Sequence, residues 1–369
     1  MSLWRGSSDI TPRRKVPRRI QDAEDPVART FEPRVSIRHR SRGSESVTRT
    51  TENTSEPVRV AVVGLGNAGQ QNIAAVSKVS SAEVVAITEP DPVVAARTDL
   101  PVRPMAEVLA DPNVQVVALC LPPGDRYEMA TAAFRASKHV LVEKPPARCP
   151  AELSAMLAAA HRAERHAAVM FQHRFALPET LRIGASAHFA DAMASLMVSR
   201  PRKASHYADG GWRSRPDKAL GGVTAHLGVH YLDVACQLLG EPVQVTLLDR
   251  TDAAPGIDTQ LCGHVAFDSG AQLTIAVTSR SPGRFEQLTV HGANAWIELN
   301  GGRLVGRIAD EEVYQDARPA LELRACVYTE LALSVQNGVP PRVSSLDRSS
   351  GVTMILHGLL QHDATTVAP

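Results

Sequence analysis

The stretch VRVAVVGLGNAG, residues 58 to 69, decides the fold. Its first six residues form an apolar run broken only by Arg59, as expected of a strand covered on both faces. Gly64, Gly66 and Gly69 follow at once in a G-x-G-x-x-G turn, and a helix is predicted from there through Gln70 to Val79. Working outward, EVVAIT (83 to 88), QVVALCL (115 to 121), HVLVE (139 to 143) and AAVMF (167 to 171) repeat the buried-strand signature. Ala- and Leu-rich helical stretches such as YEMATAAFRAS and ELSAMLAAAHRAER separate them. This βαβ rhythm predicts a parallel, doubly wound sheet ending near Gln172.

Beyond Leu177 the rhythm changes. Helix-like patterns near 178 to 193 and 224 to 239 lead into crowded β-rich segments: VQVTLLD, LCGHVAF, AQLTIAVTS, EQLTVHG, AWIELN and GRLVGRI. Short connections with Ser269-Gly270 and Gly301-Gly302 turns predict a large, mainly antiparallel sheet, and helices over 319 to 337 and 350 to 363 finish the chain. The fold class is therefore α/β: a Rossmann domain over 57 to 177 and a C-terminal α/β domain over 178 to 369, whose last helices are free to pack back on the first. Residues 1 to 56 mix twelve Lys/Arg and eight Asp/Glu with Ser, Thr and Pro and show no apolar period, so a disordered tail is expected, or a start codon assigned too far upstream.

Composition narrows the partners. With 40 Lys+Arg against 39 Asp+Glu there is no basic field to attract nucleic acid or an anionic membrane, and no apolar run spans a bilayer. Five cysteines without a C-x-x-C pair fit reduced thiols in the cytoplasm. A small, mostly uncharged ligand is the expected partner.

The glycine turn carries chemistry through its context. Between a strand and a helix, the bare backbone of Gly64, Gly66, Asn67, Ala68 and Gly69 can approach a pyrophosphate at the positive helix end. A tight ligand-free turn is the alternative. Against it, Glu89 ends the second strand, twenty residues past Gly69, where a carboxylate accepts from ribose hydroxyls and repels a 2′-phosphate. NAD is therefore expected in preference to NADP. At the carboxyl ends of the next strands, Leu121, Pro122, Glu143 and Lys144 complete the expected cofactor rim. Lys144 would point at the nicotinamide, where burial and positive charge lower its pKa and suit it to proton transfer.

GGVTAHLGVHYLD, 221 to 233, offers a second cluster. On a helix capped by Thr224, His226, His230, Asp233 and Gln237 form one stripe, opposite an apolar stripe that includes Leu227, Tyr231 and Val234. The polar stripe lacks Lys, Glu and Arg, so it belongs to a cleft or a domain contact rather than open surface. No further ligand cluster accompanies it, and no metal is expected.

HVLVEKPPA, the GLGNAG turn and GGVTAHLGVHYLD together resemble the Gfo/Idh/MocA oxidoreductases, over nearly everything from Val58 onward. The resemblance implies hydride transfer between NAD(P) and a ring carbon of a sugar, amino sugar or cyclitol, and a homodimer or homotetramer formed through the C-terminal sheet. It makes Lys144 the lysine of the E-K-P motif, His230 the usual catalytic histidine, and Trp212-Arg213 the W-R pair before the glycines. Here His226 stands where members commonly carry aspartate, and Arg126 where they often carry histidine. The expected catalytic set is Lys144, His230 and His226, with Arg174, Tyr207, Trp212 and Asp233 toward the substrate. The alternatives are an imine or other carbonyl reductase on the same scaffold, or a non-catalytic dinucleotide-binding protein.

Overall fold

The computed structural model describes residues 56–360 except 204, 209, 210 and 216. The tail expected over residues 1 to 56 lies outside the described residues but for Glu56. The first sheet is built from β1 (Val58–Val63), β2 (Ala82–Thr88), β3 (Val116–Leu119), β4 (His139–Val142) and β5 (Ala167–Val169), ordered β2-β1-β3-β4-β5 and parallel throughout. These are the five segments expected. β3 is buried at every position, as is β1 except at Arg59, which explains their continuous apolar runs. The crossovers are α1 (Asn67–Val76), the short α2 (Pro92–Ala95) and α3 (Met105–Ala110), α4 (Pro123–Arg135) and α5 (Pro150–Ala163). The strand order reverses between β1 and β3, so the crevice at their carboxyl ends is where ligands of such sheets collect.

The second sheet has eight strands. They are β6 (Met193–Ser199), β7 (Pro242–Ala254), β8 (Ile257–Phe267), β9 (Gln272–Thr278), β10 (Phe285–His291), β11 (Ala295–Asn300), β12 (Arg303–Ile308) and β13 (Glu311–Gln315). Their order is β13-β12-β11-β10-β6-β9-β8-β7, antiparallel except for the β6–β9 pair. Two of these strands escaped the sequence reading. The helix-like pattern over 178 to 193 is instead two 3₁₀ turns, Glu179–Leu181 and Ala185–His188, leading into β6. In β6 the outward positions Met193 and Met197 are apolar, which hides the alternation that reveals a half-buried strand. β13 is a short, mostly exposed edge strand rich in Glu, a composition that blunts edge pairing and carries no apolar signal.

The helices of this second part are α6 (Ser205–Ala208) and α7 (Val229–Leu239), and the chain's described part closes with α8 (Ala320–Asn337) and α9 (Ser350–Leu360). α8 packs back on the parallel sheet: Leu323, Val327, Tyr328, Leu331 and Ala332 share one core with Val58, Val60 and Val62. Residues 344 to 346 then run antiparallel beside β5, where Ser344 accepts from Val169 N–H and Leu346 donates to Ala167. α7 and α9 cover the inner face of the antiparallel sheet, so the start of α7 sits where the two sheets meet.

Candidate active site

The glycine turn is built by close approach. Gly64 has φ +92°, a region other residues rarely enter, and a Cβ there would meet the Cys120 carbonyl oxygen at 2.8 Å. A Cβ on Gly69 would fall 2.0 Å from the Gly64 carbonyl oxygen, whereas one on Gly66 would meet nothing within 4 Å. Gly66 thus borders open space at the start of α1, whose first turn carries no acidic residue and whose leading N–H groups have no acceptor in their own helix. Glu89 is half-buried. It accepts from Leu65 N–H at 2.8 Å and Asp91 N–H at 3.1 Å, leaving lone pairs for a ribose. These residues fit the diphosphate and ribose of a dinucleotide. Leu121 and Pro122 flank the turn, Leu121 Cδ2 lying 3.5 Å from where a Gly64 Cβ would stand and Pro122 capping α4.

Glu143, expected at the cofactor rim, is also the centre of a buried network. It is buried, and Asn72 Nδ2 (3.0 Å) and Arg324 (2.7 Å) both donate to its Oε1, while Tyr328 O–H donates to Asn72 at 2.8 Å. The network ties β4, α1 and α8 together, and its attractions to Arg324 and Lys144 hold the Glu143 carboxyl below its usual range against burial, which pushes it up.

Lys144 follows directly, on a cis Lys144–Pro145 peptide. Arg126 pins this corner by donating to the carbonyls of Leu121 (2.8 Å) and Pro145. Lys144 Nζ reaches the segment before α7 and donates to the backbone carbonyl of His226 at 2.7 Å. Burial brings the Lys144 ammonium down to about 8, with Arg126 and Arg324 pushing the same way and Glu143 opposing.

The histidine segment is held by a residue the sequence reading passed over. Asp258, fully buried at the start of β8, accepts from Gly222 N–H (2.5 Å), Thr224 N–H (2.9 Å) and Thr224 O–H (2.7 Å). A Cβ on Gly222 would overlap the Asp258 carbonyl at 1.9 Å, so the second glycine of the pair is required by this contact. Thr224 therefore donates to a carboxylate rather than capping the helix. The expected cap gives way to one wide π turn over Thr224–Gly228, closed by Val229 N–H donating to the Thr224 carbonyl, before α7 begins. Such turns recur at functional sites because the extra residue redirects side chains and carbonyls.

Around Lys144 the imidazoles converge. His226 meets Trp212 edge to face (5.2 Å), and His230 stacks on His173 with ring centroids 4.5 Å apart. His226 Nε2 and His230 Nδ1 are buried without a hydrogen-bond partner among the described residues. Burial holds His226 and His230 well below the usual imidazole range and His173 at about 4, so all three are neutral at pH 7. His173 was missed by sequence reasoning. It follows β5 at the same carboxyl edge as Lys144, and that placement is the signal by which it was findable.

The residues expected around the substrate divide. Trp212 stands beside His226, with the Arg213 guanidinium 4.3 Å over its ring. Tyr207 is buried with Ala219 and Ile257 next to Trp212, and burial pushes its hydroxyl up to about 12. Arg174 and Asp233 are away from any ligand surface: they bond each other through two contacts (2.9 and 2.6 Å), and neither side chain is exposed at all. Arg174 further donates to the carbonyls of Val343, Ser345 and Arg348. This pair locks α7 to the segment after β5, which is a scaffold role. Among the described residues no group of three or more His, Cys, Asp or Glu is placed to hold a metal ion, and no helix is long and apolar enough to cross a membrane.

A parallel sheet with a glycine cradle at its switch point, joined to an open antiparallel sheet across a lysine–histidine site, defines a dinucleotide-binding class. Within it the chain belongs to the Gfo/Idh/MocA oxidoreductase family: residues 58–171 match that family's NAD-binding Rossmann fold and residues 192–298 its C-terminal domain. The chain is 30% identical to D-glucoside 3-dehydrogenase of Escherichia coli (strain K12) over 200 residues, 51% of this chain and 56% of that protein. It is 30% identical to 1,5-anhydro-D-fructose reductase of Ensifer adhaerens over 221 residues, 56% of this chain and 61% of that one. The matches thus span little more than half the length of these relatives. The fold superposes on levoglucosan dehydrogenase in complex with NADH and levoglucosan with a TM-score of 0.72 at 19% identity, covering 83% of this chain and 96% of the other.

Proposed function

We propose that the protein is a nicotinamide-dependent dehydrogenase acting on a secondary alcohol, or the matching ketone, at a ring carbon of a sugar, amino sugar or cyclitol. The observation that carries the reading is the meeting of Lys144 Nζ with the His226 carbonyl, 2.7 Å apart, at the sheet edge that also holds the glycine cradle and the His173–His230 pair. The names of the relatives, which act on glycosides and anhydro sugars, point to the same substrate class.

A bound nicotinamide supplies the hydride acceptor or donor. In the oxidation direction, Lys144 or His230 takes the hydroxyl proton and the other donates a hydrogen bond to the oxygen as charge develops on it. His230, neutral and with Nδ1 unclaimed, has an acceptor to offer, while Lys144 is poised near the pH at which an amine both loses and regains its proton. Trp212 and His226 form the wall against which a sugar ring would lie. Screening sugars, amino sugars, cyclitols and imines for a change in NADH absorbance tests the reading; turnover of imines alone would replace it.

NAD is the preferred cofactor in this reading: Glu89 accepts from Leu65 N–H beside the glycine turn, and a carboxylate there would repel a 2′-phosphate. In calorimetric titration NAD should bind about tenfold or more tightly than NADP, and Glu89→Ala should narrow that gap. Tighter NADP binding by the unaltered protein would reverse the assignment. We place the domain division at residue 177 and the protein, with its five free thiols, in the cytoplasm. The outer face of the large sheet, where Met193, Met197, Phe285 and Trp296 are exposed on adjoining strands, is the surface for a homodimer or homotetramer.

A further inference from the structure

A cavity of about 200 Å³ adjoins the reaction site, and His173 belongs to both: its ring stacks on His230 and also lines the cavity. Four separate elements bring the other walls together. Arg200 follows β6, Tyr231 is on α7, Arg284 and Glu286 come from the start of β10, and Arg318 precedes α8. Three guanidinium groups thus surround one small space.

The cavity's own carboxylate does not balance them. Glu286 is the single acidic residue in the lining and is 4% exposed. Arg200 Nε donates to its Oε1, while Tyr231 O–H (3.0 Å) and Arg284 (3.2 Å) donate to its Oε2. One guanidinium suffices to neutralise that charge. Arg284 adds a second, and Arg318 makes no hydrogen bond or ion pair with Glu286. Among the described residues Arg318 has only the exposed Glu322 at 3.8 Å and a 3.4 Å contact to Cys326 Sγ. Each of Arg200 and Arg284 spends one nitrogen on Glu286 and keeps the rest of its fork without a partner among the described residues. A planar, unclaimed fork is the arrangement that receives carboxylate or phosphate. The cavity also touches Ala320 and Leu323 in the first turn of the 18-residue α8, whose leading N–H groups add a positive end to the same space.

We infer that this arginine-lined cavity is a subsite for an anionic substituent, a carboxylate or phosphate, carried by the sugar whose ring is oxidised beside His230. The inference rests on the dehydrogenase reading for the identity of the rest of the molecule. The size agrees: pockets for whole drug-sized ligands run to roughly 300–1,000 Å³, and this space suits one charged group with some water. The geometry agrees as well, since a single imidazole separates the cavity from His230, which puts the anion within a few bonds of the reacting carbon. The preferred substrates are then sugar acids or sugar phosphates rather than neutral sugars.

The test is calorimetric titration of the NADH-loaded protein with glucose, glucuronate, glucose 6-phosphate and inorganic phosphate, repeated on Arg318→Gln, Arg284→Gln and the double variant. Both arginines are partly or largely exposed and outside the reaction site, so NADH affinity and melting temperature serve as folding controls. At least one anionic sugar should bind tenfold or more tightly than glucose, and that advantage should fall at least fivefold in each variant and vanish in the double variant. Which of the two sugars wins separates a carboxylate from a phosphate source. Equal binding of glucose and both anionic sugars overturns the subsite, as does an advantage that survives in the double variant. Inorganic phosphate held equally by wild type and double variant counts against it too. Because binding is read without turnover, a subsite that behaves as expected in a protein that oxidises no sugar would remove the dehydrogenase reading and leave the anion site standing.

Discussion

The front and back of the α7 segment share a stripe and live different lives. His226 and His230 at the front face Lys144, Trp212 and His173, and each keeps one ring nitrogen without a partner among the described residues. Asp233 and Gln237, one and two turns on, are tied to the scaffold: Asp233 accepts from Arg174, and Gln237 Nε2 donates to Asp233 (3.4 Å) and the Arg348 carbonyl (3.2 Å). Spacing alone places the four side chains on one face. What stands opposite decides whether a position does chemistry or holds the domains together, and a polar stripe free of Lys, Glu and Arg is equally compatible with both.

The largest expected effect lies at the front. Lys144→Met and His230→Ala should each lower turnover by about 10²–10⁴-fold, the usual span for a proton-transfer group, while NADH affinity and melting temperature change little. Turnover within a few fold of wild type in either variant returns that residue to a structural role and dissolves the contrast. The back should respond in the opposite currency. Asp233→Ala leaves the Arg174 charge buried and unpaired and is expected to cost about 3–5 kcal/mol of stability by chemical denaturation. The double change Arg174→Met, Asp233→Leu should recover part of that loss, because no lone charge remains. A stable Asp233→Ala protein with collapsed turnover would instead move Asp233 into the site.

pH sharpens the comparison next. Lys144 acts as a base only when neutral, so alcohol oxidation should rise with pH and level off above about 8, while carbonyl reduction should fall over the same interval. If Lys144→Met retains that limb, another group sets it. The imidazoles work on the acid side through stability. Their folded values are depressed by burial, so from about 4, the folded value of His173, up to roughly 6.5, the free imidazole value, the unfolded chain binds more protons than the folded one. The imidazole contribution to stability should therefore climb with pH through that window and be constant above it. The same burial should place the acid limb of activity below the roughly 6.5 of an unperturbed histidine. An acid limb at 6.5 that disappears in His230→Ala would mean the ring is more solvated than its packing indicates.

Much of this architecture was legible because its signals are local. Five buried strands announce themselves as apolar runs, the glycines sit between strand and helix, and Lys144 is marked by its place after β4. What escaped depends on partners far away in the chain. Asp258 is 34 residues from Thr224, and Tyr328 is 256 from Asn72, so neither the anchor of the glycine pair nor the Asn72–Glu143–Arg324 network leaves a pattern in any window. Arg174 and Asp233 were misplaced for the same reason: each is a plausible substrate contact until the other is seen beside it. The exposed methionines of β6 misled in a different way, since an apolar outer face erases the alternation on which strand recognition rests.

The smallest effect should come from His226→Asn, and it divides the front of the stripe in two. Lys144 Nζ is held by the carbonyl of His226, not by its ring, so replacing the side chain leaves the 2.7 Å contact and the π turn that presents it. What is lost is the edge-to-face packing on Trp212 and one neutral, unclaimed nitrogen. Asparagine keeps a polar group of shorter reach, and the expected cost is a few-fold in kcat/KM, carried mainly by KM, with the Lys144 limb of the pH profile unmoved. His226→Asp, which restores the pairing commoner in the family, should be tolerated to a similar degree but should shift that limb upward, because a carboxylate close to Lys144 favours its charged form. If His226→Asn costs as much in kcat as His230→Ala, the ring takes part in proton transfer and the two imidazoles must be treated as one unit.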